Sequence, residues 1–107
     1  MIIEHNFNDD YHTAIKVEFS YYERCYLSVS PIKVEKNSIG FRADKNYKGF
    51  HINFDKDFMK RKNSKKLEKL NNYLEQIKDK YNFVDIVLNQ DIDKAREIAL
   101  EAVNSIK

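Results

Sequence analysis

Between Lys56 and Lys69 the chain carries Lys56, Lys60, Arg61, Lys62, Lys65, Lys66 and Lys69 against only Asp57 and Glu68. Seven cations against two acids make a net +5 in a chain whose total is +2, so the remainder sums to −3. Cations at this density suit phosphate groups or an acidic protein surface. Lys65 and Lys66 fall in the first turn of a predicted helix, where the dipole disfavours each cation by roughly a few tenths of a kcal/mol. Local helix stability does not call for them there, whereas a helix amino terminus surrounded by lysines suits an anion. The competing reading is a solvated face that keeps a lysine-rich protein in solution.

A second group sits on predicted strands. The alternation that buries Ile15 and Phe41 puts Lys16, Tyr22, Tyr26, Arg42, His51 and Asn53 on the opposite face. Rings among cations can stack bases and contact their phosphates. Tyrosine is also an ordinary strand former at a wet surface, and no stretch resembles the aromatic signature of an RNA-recognition sheet.

The remaining candidates are weaker chemically. His5, Asp9, Asp10 and His12 offer nitrogen and oxygen donors, but their spacing matches no established metal site, and Asn8-Asp9-Asp10 reads as a turn. Asp55 and Asp57, followed by lysines, loosely resemble the two acids and lysine of a metal-dependent nuclease, which leaves a small hydrolase as a third reading. Gly40 and Gly49 stand alone, so no phosphate-binding glycine loop exists. Cys25, the only cysteine, lies in a strand-like run and reads as a small buried hydrophobe. No catalytic residue, metal or cofactor is expected.

The elements that must position these groups follow from periodicity. Thr13 to Tyr22 alternates with Ile15, Val17, Phe19 and Tyr21 on one face, and Arg24 to Glu35 continues with Cys25, Leu27 and Val29. The apolar phase slips across Ser30-Pro31 to Ile32 and Val34, which predicts a bulge or an edge position at Pro31. Ile39, Phe41 and Ala43 mark a third strand and Phe50, Ile52 and Phe54 a fourth, with Asp44 to Gly49 as their hairpin loop. Ile2, Ile3 and Phe7 add a short amino-terminal strand.

After Lys62 the period becomes helical, with Leu67, Leu70, Leu74, Ile77 and Tyr81 on one stripe. Phe83 to Leu88 is a short apolar run read as a buried strand or extended connection. Asn89 or Asp91 then caps a second helix lined by Ile92, Ala95, Ile98, Ala99, Ala102, Val103 and Ile106. The expected fold is α+β: an antiparallel meander of four to five strands with two C-terminal amphipathic helices on one face, in one domain spanning residues 1–107. The heptad-like helix stripe would also allow a homodimer.

The chain has 107 residues and is 42% hydrophobic, enough for one core. Two glycines and one proline leave no linker or low-complexity tract. The amino terminus lacks a signal-peptide pattern and no segment is apolar enough to span a bilayer, so a cytoplasmic location and no membrane partner are expected. Lysine over arginine and abundant asparagine suggest an AT-rich bacterium, or one of its phages or mobile elements. With no catalytic motif, the expectation is a regulatory module binding nucleic acid or a nucleoprotein through the basic segment, helped by Arg42 and His51. The alternative is a protein-to-protein inhibitor of the anti-defence, anti-CRISPR-like kind whose cations meet a protein target.

Overall fold

The computed structural model describes residues 1–8, 11–35, 38–40, 49–53 and 58–107. Within these, five strands precede three helices: β1 (Ile2–Glu4), β2 (Ala14–Tyr22), β3 (Arg24–Glu35), β4 (Ser38–Gly40), β5 (Phe50–Asn53), α1 (Ser64–Ile77), α2 (Phe83–Leu88) and α3 (Ile92–Ile106). The sheet runs β1-β2-β3-β4 in chain order, every pairing antiparallel, with β5 also on β3. This is the expected α+β meander backed by helices.

The period-2 pattern decides which face is covered. Ile15, Val17, Phe19, Cys25, Leu27, Val29 and Ile52 are buried against Leu70, Leu74 and Ile77 of α1 and Ala95, Ile98, Ala99 and Ala102 of α3. Leu70 and Leu74 of α1 are thus spent on the chain's own core, with Leu67 partly buried against it.

Three local expectations are corrected and two open alternatives are decided. Phe83–Leu88 is a helix, because Asn82 caps it by accepting from the Asp85 N–H at 3.1 Å, and Phe83, Ile86 and Val87 bury one helical face. Its end explains why it fits: Asp91 N–H bonds the Ile86 carbonyl and Gln90 N–H that of Val87, with Gln90 at φ 52. That is a Schellman stop with glutamine in the left-handed position. Asp91, rather than Asn89, then caps α3 by accepting from the Lys94 N–H at 3.0 Å.

The α1 stripe outruns its helix. The helix ends at Ile77, Lys80 N–H closes a tight turn on the Ile77 carbonyl, and Tyr81 lies in the connection.

Pro31 marks no bulge in the β2–β3 ladder, which keeps one register from Tyr22↔Arg24 through Ile15↔Pro31 to Ala14↔Ile32. Val17 and Phe19 direct their N–H groups away from β3, so in that register the odd residues of β3 point away from β2. Pro31 therefore faces the interval between the β5 pairing at Tyr26–Val29 and the β4 pairing at Lys33–Glu35, where no strand pairing among the described residues calls on a ladder N–H. The phase slip has another cause: Ile32 lies on the outward phase but is buried there beside Ala14.

Because β4 and β5 are both antiparallel to β3, they run in the same direction and are not the two arms of a hairpin. The predicted loop and strand residues Phe41, Ala43 and Phe54 lie outside the described residues. Gly49 sets the approach of β5, since a Cβ there would lie 2.9 Å from the Ser30 Cα.

Candidate functional site

The basic segment leads from the end of the sheet into α1. Met59 is buried and Lys60 lies at the surface, its carbonyl accepting from the Tyr21 hydroxyl at 3.0 Å. That bond fixes the start of the segment to the β2–β3 hairpin end of the sheet. Asn63 then caps α1, accepting from the Lys66 N–H at 3.1 Å, and no acid occupies the first turn. Helical geometry puts Lys65 and Lys69 on the side opposite Leu70 and Leu74.

Lys60, Arg61, Lys62, Lys65 and Lys69 are exposed, and none has an acidic partner among the described residues. Lys66 differs. It is half-buried, its Nζ lies 4.7 Å from the centre of the Phe58 ring and 3.5 Å from the Phe58 carbonyl oxygen. A cation over a ring, beside a carbonyl, gives Lys66 a local packing role that its sequence position does not suggest. Lys56 and Arg42 lie outside the described residues, as do Asp9, Asp10, Asp55 and Asp57.

His51 is exposed on the outer sheet face, its Nδ1 2.7 Å from the Ser28 Oγ and its ring edge-on to Tyr26 at 6.4 Å. Ser20, Tyr22, Glu23, Tyr26 and His51 line an open concavity of about 680 Å³. Tyr22 is 81% exposed. The hairpin between Tyr22 and Arg24 turns on Glu23 at φ 64.

The structure also assembles groups that periodicity does not relate. Glu101 on α3 accepts from Tyr73 on α1 at 2.9 Å, from Lys80 at 2.5 Å and from Tyr81. The Lys80 ammonium and the two phenols hold its carboxyl down to about 2, and the hydrogen bond to Glu101, with burial, pushes the Tyr81 hydroxyl up. Tyr73 is raised mainly by burial. Raised phenols are poorer bases and nucleophiles at neutral pH, so this cluster ties α1 to α3 rather than activating a tyrosine. Nothing in the spacing of residues 73, 80, 81 and 101 predicts their meeting.

Cys25 is buried, and burial pushes its thiol up to about 11, which leaves it a packing residue. His12 is buried and His5 packs edge-on to Phe7 at 4.7 Å, so the two imidazoles serve the amino-terminal packing. Among the described residues no helix is long and apolar enough to cross a membrane. No protein-family model matches the chain, and no curated protein and no solved structure is significantly similar to it.

Proposed function

We propose that this chain is a non-catalytic regulatory module that engages nucleic acid or a nucleoprotein complex through the basic segment. The observation supporting this reading is the solvent position of Lys60, Arg61, Lys62, Lys65 and Lys69, with no acidic partner among the described residues. Like charges gathered on one surface repel, and Lys65 also opposes the α1 dipole, so the arrangement costs stability without a local return. A phosphate backbone would relieve both effects, and release of its condensed counterions would add a favourable entropy.

Replacing Lys65 and Lys69 together by glutamate separates binding from folding. A carboxylate at position 65 would complement the dipole, and both side chains are exposed, so the variant is expected to melt with the parent or slightly above it. A hydrogen bond to a charged group is worth roughly 1.5 kcal/mol or more, so losing two, about 3 kcal/mol, should weaken binding of a labelled oligonucleotide by roughly 100-fold. Unchanged binding would refute this use of the cations. If the parent binds no oligonucleotide and instead retains a protein partner after nuclease treatment, the inhibitor reading replaces the nucleic-acid one.

A further inference from the structure

The outer sheet face at the hairpin end offers a second kind of contact beside the cations. The Tyr22↔Arg24 pair ends the β2–β3 ladder, and the next pair of the same face is Ser20↔Tyr26, with Asn53 on β5 opposite Tyr26. Tyr22 and Tyr26 are therefore diagonal neighbours on one face, close enough for both rings to meet one extended ligand. Arg24 is exposed beside them. His51 closes the far side of the concavity, its ring held between Ser28 and Tyr26.

A ring that is 81% exposed contributes little to packing, and Tyr22 also stands next in sequence to Tyr21, whose hydroxyl holds Lys60. Tyr21 points to the helix-covered face, so the basic stretch reaches this end of the sheet from the side opposite the concavity, and a ligand crossing the hairpin end would meet both. Their charges divide the labour. Glu23 lines the concavity, and a carboxylate there disfavours phosphate while accepting N–H donors from the edge of a base. Phosphates would instead run outside it, toward Arg24 and Lys60 to Lys62.

We infer that the ligand is single-stranded nucleic acid, its bases stacked on Tyr22 and Tyr26 and its phosphates on the neighbouring cations. This rests on the nucleic-acid reading of the basic segment and narrows it. In a duplex the base faces are stacked on one another and cannot reach the rings, whereas in a single strand every base presents a face.

Fluorescence anisotropy with a labelled oligothymidine and with a duplex of equal charge provides the test. The parent should prefer the single strand. Tyr22→Ala should weaken single-strand binding by about 5- to 100-fold, and Tyr22→Phe should restore most of it, because stacking needs the ring and not the hydroxyl. The dependence on salt should be the same in Tyr22→Ala as in the parent, since no phosphate contact is removed. Equal affinity for both probes, or a Tyr22→Ala variant that binds as the parent does, would overturn the stacking inference while leaving salt-dependent binding by the cations intact. A parent that binds neither probe, or that uses Tyr22 only to hold a protein, would overturn both.

Discussion

Glu101 takes donors from Tyr73, Lys80 and Tyr81 while only 26% of its side chain remains exposed. Its carboxyl falls from 4.5 to about 2 on folding, so the folded state favours the ionised form. The stability this provides is fully present above pH 4.5 and is lost as pH falls toward 2. Glu101→Gln keeps the shape but removes the charge, and should cost about 1–3 kcal/mol at neutral pH. Urea unfolding near pH 7 and near pH 2 checks the sign: the gap between parent and variant should narrow at the acid end. A gap that is constant with pH would mean that the carboxylate charge contributes nothing.

Among the elements, β2 carries an exposed-edge problem that the chain solves with three unrelated groups. β1 covers only Ala14 to Lys16. Beyond it, Val17 N–H bonds the Met1 carbonyl at 2.9 Å, and the Phe19 N–H and carbonyl bond the side-chain amide of Asn71 at 2.8 and 3.0 Å. Asn71 on α1 thus stands in for a neighbouring strand and blocks pairing with another chain. Asn71→Ala should cost roughly 1–3 kcal/mol by leaving two strand groups without this partner. Thermal melts and hydrogen exchange at the Phe19 amide would report it, and unaltered protection there would disprove the role.

Much of this scale is legible in the sequence because it is periodic. Ile15, Val17 and Phe19 at spacing two, and Leu67, Leu70, Leu74 and Ile77 at three and four, identify β2, α1 and the faces that meet. Phe83–Leu88 is not legible in that way, since a six-residue run with five apolar residues satisfies either period and only the Asn82 cap and the Gln90 stop decide it. Asn71 and Glu101 are illegible for a different reason. Their roles depend on partners 52 and 20 or more positions away in the chain, with no local pattern to announce them. The basic segment is visible as composition, but the local engagement of Lys66 with Phe58 and the anchoring of Lys60 by Tyr21 emerge only in three dimensions.

At the scale of the whole molecule, the helices cover one side of the sheet, and the cations and the aromatic concavity share the hairpin end. The chain's net charge of +2 is modest, so any attraction to a polyanion has to be local. The most direct measurement of the central claim is the slope of log Kobs against log salt for binding to a single-stranded oligonucleotide. Each phosphate contacted contributes about −0.7, so three to five contacts by the exposed cations give roughly −2 to −3.5. The account predicts a slope in that range for the parent and a clearly shallower one for the Lys65→Glu/Lys69→Glu variant. Binding that is insensitive to salt, or a slope that the double substitution leaves unchanged, would contradict it.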